Sequence, residues 1–587
     1  MTEHSSELVS RRWTGLPVSG GLAHGVVHVL KDQFDEPEPE TIRPEQADHE
    51  MERLRKALAV TRGEIEALQR QMVVDGGEAE ADIFDAHLLI LDDVTLLKQV
   101  EKRVRVEWLS VDYAYYQLML KNINALRRMS DPYLRERFLD IKDVTHRVMR
   151  HLRGEMLEAP MFDHPVIVVA KDLTPSDTVQ LDRSRVLAFA VETGSAVSHA
   201  AIIARSMNVP AVVRLAGISD ELHSGDLVLI DGDEGVLILN PSETTLNESR
   251  VREAAAEKRE DVLHERRHEA AQTLDGETVL VGVNGEFLEE LDGLKDSGAE
   301  EVGLFRTEFL HLADPTASED WLAAAYHQVI VAMAPRLVIF RTLDLGGDKV
   351  EEGYSLNPEP NPFLGWRGIR LSLGRTDLFK RQLRALLRAG AWSRVGIMFP
   401  MVTTVEEVVA AKALLQECAA ELDAEKIAAP AELLVGAMIE VPGAALIAGA
   451  LAKHVDFLSL GTNDLVQYTL AVDRLNDRVA DLYQTTHPAV LRLIELTVQA
   501  GYGGVIRVGM CGEMAADIGL TPLLLGMGLR ELSVSSNQVA RVKAAVRRLG
   551  AAECRELWES VRDLTDPAAI RGMSLGVAES RYPDLFE

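Results

Sequence analysis

VDFLSLGTNDL, residues 455–465, is a short, mostly apolar run that stops at Gly461 and passes at once into Thr462, Asn463 and Asp464. A buried strand that ends in a polar turn reads this way. Seven further runs share the pattern: VLVGVNG (279–285), VGLFRTEF (302–309), LVIFRTLDLGG (337–347), VGIMFPMV (395–402), LLVGAMIEVPG (433–443), VIRVGMCGE (505–513) and ELSVSS (531–536). Helix-compatible segments separate them. Eight strands alternating with helices over about 300 residues specify a (β/α)8 barrel of the TIM type. Such barrels keep their chemistry at the C-terminal ends of the strands. Here those ends carry Arg306 and Glu308, Arg341 and Asp344, Glu440, Asn463 and Asp464, and Cys511 and Glu513. A barrel used only as a scaffold has no need of polar residues crowded there.

Working outward, residues 241–273 are polar and rich in Ala, Glu and Arg, and read as an exposed linker helix. Before them, PVIVVA, VLAFAV, PAVV, DLVLID and VLILN are short buried strands separated by Gly, Asp and Pro, interrupted by one helix that begins near His199. GLPVSGGLAHGVVHVL (15–30) has the same strand character. Between these two strand regions the apolar residues recur at helical spacing, as in Met51, Leu54, Leu58, Ile65 and Leu68, which predicts several antiparallel helices. The expected order is a β/α domain (1–34 and 154–240) with an inserted α-helical subdomain (35–153), a linker helix (241–273) and the barrel (274–587). The fold class is therefore multidomain α/β.

The 587 residues are 47% hydrophobic and 26% charged, which excludes global disorder and fibrous repeats. With 62 Lys+Arg against 92 Asp+Glu the net charge is −30, which disfavours nucleic acid and anionic lipid surfaces. A basic partner protein, or an anionic substrate masked by a metal, fits better. The charge of the helical insert is uneven: residues 35–93 hold 17 acids and 6 bases, residues 94–150 hold 7 acids and 12 bases. Such runs form solvated helix faces, and an acidic face also suits a basic partner. Three cysteines, Cys418, Cys511 and Cys554, make neither a disulfide framework nor a CxxC site. The opening MTEHSSELVSRRW lacks the apolar core of a signal peptide, and the apolar stretch 433–455 is broken by Glu440, Pro442, three glycines and Lys453. A cytoplasmic enzyme is the expectation.

Arg306, Arg341, Lys349, Arg367 and Arg474 all follow strand ends or loops of one barrel face. Arginine forks bind carboxylate and phosphate bidentately, so the substrate is expected to be small and multiply anionic. Glu440 and Asp464 end neighbouring strands. Two carboxylates facing an anionic substrate call for a divalent cation, and oxygen ligands suit Mg²⁺; the alternative is that each pairs with a nearby arginine. Cys511 at the end of strand seven is either a buried filler or a nucleophile or proton donor. His199 follows a Gly-Ser loop at the start of a helix, where backbone amides and the helix dipole favour a phosphoryl group.

Several longer motifs are recognisable: GLFRTEFL (303–310), FRTLDLGGDK (340–349), NPFLGWRGIR (361–370), MFPMV (398–402), GTNDLVQYTLAVDR (461–474) and GMCGEMAAD (509–517). With them the chain resembles the Enzyme I family of the bacterial phosphoenolpyruvate:sugar phosphotransferase system. The resemblance implies a swivelling phosphohistidine domain, a helical insert that binds the carrier protein HPr, and a barrel that binds phosphoenolpyruvate and dimerises. It implies that His199 is phosphorylated on Nε2 and pyruvate released. Arg306, Arg341, Arg367, Arg474 and Asn463 would grip the substrate, Glu440 and Asp464 would ligate Mg²⁺, and Cys511 would protonate the methylene carbon. The acidic half of the insert would meet a basic HPr surface, and the chain would be a homodimer.

The family has Gly-Gly-Arg-Thr before the Ser-His pair, where this chain has Gly194, Ser195, Ala196 and Val197; Ser195 and Thr178 are the candidates to stand in. Two other readings remain at this point. LYQTTHPAVLRL (482–493) is similar to a regulatory, nitrogen-type branch acting on another HPr-like carrier. The altered loop before His199 also fits a degenerate regulator that binds phosphoenolpyruvate without phosphorylation. HAAIIAR resembles pyruvate phosphate dikinase and phosphoenolpyruvate synthase as well, but about 160 residues before the histidine domain leave no room for their ATP-grasp domain.

Overall fold

A computed structural model of the protein describes residues 10–30, 36–74, 87–88, 90–91, 94–127, 138–154, 162–173, 181–182, 185–194, 198–207, 209–313, 317–345, 359, 361–474 and 479–586. The chain divides into two compact units, Met1–Glu257 and Lys258–Glu587.

The first unit is built on an eight-stranded mixed sheet. Its strands are β1 (Arg11–Thr14), β2 (Leu16–Ser19), β3 (Leu22–Leu30), β4 (Val166–Ala170), β5 (Val186–Val191), β6 (Ala211–Val213), β7 (Leu227–Asp231) and β8 (Val236–Leu239), in the order β1-β8-β7-β3-β4-β5-β6-β2. Strands β3 to β6 run parallel, and the rest pair antiparallel. β4, VIVVA, is buried along its whole length. Val166, Val168 and Ala170 enter one apolar cluster and Ile167 and Val169 the other, because successive side chains point to opposite faces. A strand covered on both sides must be apolar throughout, which is why this run lacks the alternation of a half-exposed strand. The polar sequence RRWT at β1 carries no such signal; it is an exposed edge strand against β8.

Between β3 and β4 the described residues form four longer helices: α1 (Ala47–Val74), α2 (Val94–Val106), α3 (Val111–Arg127) and α4 (Phe138–Arg153). They close around Leu54, Val100, Val104, Tyr115, Met119 and Val148. Arg53 ties three of them together: its guanidinium meets Glu50 at 2.8 Å, Asp112 at 3.1 Å and the Leu152 carbonyl at 2.8 Å. Glu50 also accepts the Val111 N–H at 3.0 Å, satisfying a free amide at the start of α3. Helix α5 (His199–Ser206) packs Ala200, Ala201, Ile203 and Ala204 on the sheet.

Helix α6 (Glu243–Glu265) carries the chain from one unit to the other. Most of its side chains are exposed, in keeping with its polar sequence. Its last turns and the residues after it belong to the barrel, since Leu263 and Ala271 are buried in that core.

The second unit is a closed barrel of eight parallel strands. They are β9 (Leu280–Gly285), β10 (Val302–Arg306), β11 (Val338–Arg341), β12 (Arg394–Phe399), β13 (Glu432–Ile439), β14 (Phe457–Leu460), β15 (Arg507–Met510) and β16 (Glu531–Val534). Each expected run overlaps its strand, with β12 and β13 beginning one residue ahead of theirs, but most strands stop earlier. VGLFRTEF leaves the sheet after Arg306, and Glu308 already opens helix α7 (Glu308–Ala313). LVIFRTLDLGG leaves it after Arg341. The polar ends of the runs are the turns of the catalytic face, where side chains point into the mouth instead of continuing a ladder.

Candidate active site

Strand register assembles the site. Arg306 at the end of β10 pairs in register with Arg341 at the end of β11. Ile439 pairs with Leu460, and Leu460 with Met510. Glu440, Gly461 and Cys511 follow these three residues, so they enter the mouth at one level. Asp464 sits in the first turn of helix α8 (Thr462–Leu470), directly after β14. Arg367 precedes helix α9 (Gly368–Gly374). One cavity of about 130 Å³ is lined by Arg306, Arg341, Arg367, Arg474, Asn463, Glu440, Asp464 and Cys511, together with Asp344, Phe363 and Met438. Most barrel residues singled out by sequence thus converge; Glu308 and Glu513 stand behind the lining, where they contact Arg341 and Asn463, and Lys349 lies outside the described residues.

A chain of alternating charges lines one wall. Arg341 contacts Glu308 at 3.1 Å and Asp344 at 3.3 Å. Arg367 contacts Asp344 at 2.8 Å and Asp464 at 3.1 Å, and donates to the Tyr468 hydroxyl at 3.0 Å. All five charged groups are buried. Guanidinium geometry makes this possible, since its planar fork serves two carboxylates at once. Despite burial, the acids raise both guanidinium pKa values above their ordinary value. Arg306 sits differently: burial and the cations Arg341 and Arg474 pull it down, and it is held by Glu286. The Arg474 side chain has no hydrogen bond or ion pair among the described residues.

Glu440 is 2% exposed and accepts the Met401 N–H at 2.6 Å. Burial, reinforced by Asp464 and Asp344 and only partly offset by Arg341 and Arg367, pushes its carboxyl up to about 8. Gly461 lies close against it: a Cβ there would stand 2.9 Å from both Cβ and Oε2 of Glu440. Asp464 Oδ1 is buried with no hydrogen-bond partner among the described residues. A buried carboxyl short of counter-charge beside a carboxylate oxygen whose lone pairs are unengaged is a donor set for a hard cation. Among the described residues no group of three or more His, Cys, Asp or Glu forms a metal cage. The Glu440–Asp464 pair suits Mg²⁺, which is commonly held by one or two carboxylates and completes its shell with water and substrate phosphate.

Cys511 is buried among Leu304, Ile339, Met398 and Met438. It accepts from the Ser459 hydroxyl at 3.3 Å and donates weakly to the Leu460 carbonyl at 3.7 Å. Burial pushes the thiol up, so the sulfur keeps its proton. This environment favours a proton donor over a thiolate nucleophile. Cys418 and Cys554 are buried on helices, and both thiols are pushed up as well, to about 11 and about 12. Asn463 exchanges two hydrogen bonds with Glu513: its amide donates at 2.9 Å, and its carbonyl accepts the Glu513 N–H at 3.0 Å.

His199 belongs to the first unit, as the opening residue of α5, and Ser198 is its N-cap. The His199 side chain, residues 195–197 and Thr178 lie outside the described residues. Sequence reasoning named Glu308 and Asp344 at strand ends but gave them no role, and it passed over Tyr468, Asn284 and Glu286. The Asn284 amide holds the backbone carbonyls of Cys511 and Ser533, each at 3.2 Å. Asn284 and Glu286 lie at the end of the first barrel strand, where the strand-end rule applied to the other strands would have found them.

The second unit is therefore a barrel that presents arginines, paired acids and a protonated thiol to a small polyanion. Family models agree along the chain: "PEP-utilising enzyme, N-terminal" matches residues 14–137, "PEP-utilising enzyme, mobile domain" 162–235, and "PEP-utilising enzyme, PEP-binding domain" 260–551. A phosphoenolpyruvate-protein phosphotransferase of Geobacillus stearothermophilus is 40% identical over 567 residues, 96% of each chain. The Bacillus subtilis (strain 168) protein of that name is 38% identical over 553 residues, 94% of this chain and 97% of the relative. A solution structure of an Enzyme I protein (nEIt) is 34% identical and covers 42% of this chain and 99% of its own, with a TM-score of 0.36. The chain belongs to the phosphoenolpyruvate-protein phosphotransferase family.

Proposed function

We propose that the protein transfers the phosphoryl group of phosphoenolpyruvate to its own His199, releases pyruvate, and passes the group to a histidine of an HPr-like carrier, as the first step of the sugar phosphotransferase system. The observation that carries this reading is the single cavity holding four arginines, two carboxylates suited to Mg²⁺ and a protonated cysteine. Arg306, Arg341, Arg367 and Arg474, with Asn463, orient the phosphate and carboxylate of the substrate. Phosphoryl transfer asks chiefly for such positioning and charge neutralisation. His199 is the nucleophile: the P–O bond of the enol phosphate breaks as a P–N bond forms, and the electron pair passes to the enolate. The methylene carbon of the enolate takes the Cys511 proton, giving pyruvate and a thiolate that water reprotonates. Glu440 and Asp464 would hold Mg²⁺, which would supply charge neutralisation to the anionic substrate.

The carrier is expected on the helical insert, whose acidic stretch suits a basic surface. The proposed location is cytoplasmic; among the described residues no helix is long and apolar enough to cross a membrane. A homodimer through the barrel accords with the exposed Leu446, Tyr502 and Val505 on that unit.

The test is incubation with phosphoenolpyruvate and Mg²⁺, followed by intact mass and pyruvate release. A phosphoryl adduct stable in base, labile in acid and absent in His199→Ala is the expected result. Binding of phosphoenolpyruvate without an adduct overturns the reading in favour of a degenerate regulator.

A further inference from the structure

Among the four cavity arginines, Arg306 stands apart. Arg341 and Arg367 are fixed in the buried charge chain, and the Arg474 side chain has no hydrogen-bond or ion-pair partner among the described residues. Arg306 is in contact with the Glu286 carboxylate. Both side chains are partly exposed, 32% for Arg306 and 26% for Glu286, so the pair lies within reach of an incoming ligand.

Glu286 is placed there by the fold. Gly285 pairs with Phe305 across β9 and β10, so the next residues, Glu286 and Arg306, leave the two strands side by side. Glu290 Oε2 accepts the backbone N–H groups of Glu286 at 3.1 Å and Phe287 at 3.3 Å. The Phe287 ring packs on Phe309 with centroids 4.4 Å apart, which anchors this turn to α7. The carboxylate is therefore held at the mouth by a built turn.

We propose that Glu286 is an internal competitor for the substrate's anionic group: its carboxylate occupies Arg306 in the empty cavity and must yield when the phosphate or carboxylate of the substrate arrives. The proposal rests on the function proposed above for the identity of that substrate. A bidentate, doubly charged oxyanion displaces a single carboxylate from a guanidinium more readily than a monoanion does. Glu286 thus lowers affinity for every anion, and most for weakly charged ones, so it sharpens selection for the fully ionised substrate. A carboxylate whose only duty was to orient Arg306 would act in the opposite sense, and its removal would weaken binding.

The experiment compares wild type with Glu286→Gln, which keeps the shape and removes the charge. Two readouts are taken: KM for phosphoenolpyruvate in the pyruvate-release assay, and inorganic phosphate affinity by calorimetry. Both should fall in KM or Kd by about 3- to 10-fold, the span of a partly desolvated ion pair. Glu286→Asp, with its shorter reach, should fall between the two and serves if the Gln variant does not fold. An unchanged or raised phosphate Kd overturns the proposal. Absence of phosphoenolpyruvate turnover in wild type would instead count against the proposed function, while the phosphate titration still decides the role of Glu286.

Discussion

Glu440→Gln should flatten the pH dependence of barrel stability in the absence of divalent cation. Glu440 has a folded pKa near 8, against an ordinary value of 4.5. Below the ordinary value it is protonated in both folded and unfolded chains. Between the two values the folded barrel retains a proton that the unfolded chain has released. Stability therefore falls as pH rises through this window, by about 1.4 kcal/mol per pH unit. From about pH 5.5 to about pH 7.5 the wild-type barrel should lose about 2 to 3 kcal/mol that the variant does not lose. The groups responsible are visible: burial, Asp464 and Asp344 resist ionisation, and Arg341 and Arg367 compensate only in part. Other titrating groups are common to both proteins and cancel in the difference. Urea titration at the two pH values, followed by hydrogen–deuterium exchange of the β13 and β14 peptides, confines the measurement to the barrel. Mg²⁺ should reduce the wild-type pH dependence, because it binds the ionised carboxylate, and should leave the variant little changed. Parallel pH profiles for the two proteins would refute the argument and would mean that Glu440 ionises as readily as an exposed acid.

Cys511→Ser keeps the volume but offers a far weaker acid, so pyruvate formation should slow by about 10²- to 10⁴-fold in single-turnover quench experiments; a near-normal rate would remove the thiol from the reaction. Arg367→Lys loses the fork that spans Asp344, Asp464 and Tyr468, and should cost about 3 kcal/mol of barrel stability together with turnover, read by urea titration and the pyruvate assay. In Gly512→Ala the new methyl would stand 1.9 Å from Thr462 Oγ1 and 2.7 Å from Thr462 N, so the turn carrying Cys511 must shift. Turnover should then fall at least about 10-fold while the far-UV circular dichroism stays the same, since small misplacements of reacting groups are costly.

The linear chain already points to the barrel, because eight apolar runs ending in polar turns can be buried in few other ways, and period and punctuation are local signals. It also placed Arg306, Arg341, Glu440, Asp464 and Cys511 on one face, since strand direction alone fixes which end of each run carries chemistry. RRWT at β1 stayed silent because an exposed edge strand needs no apolar face. How the charges divide is visible only in the folded chain. Arg367 could be known as a cation from the sequence, but that it bridges Asp344 and Asp464 depends on a fold that brings residues about a hundred positions apart within 3.1 Å. Glu286 reaches Arg306 only because β9 and β10 are neighbours in the closed barrel. The elevated Glu440 carboxyl and the protonated Cys511 thiol have the same origin. Desolvation and Coulomb interactions act through space and depend on burial, so the pKa of a side chain is set by neighbours that the linear chain does not show.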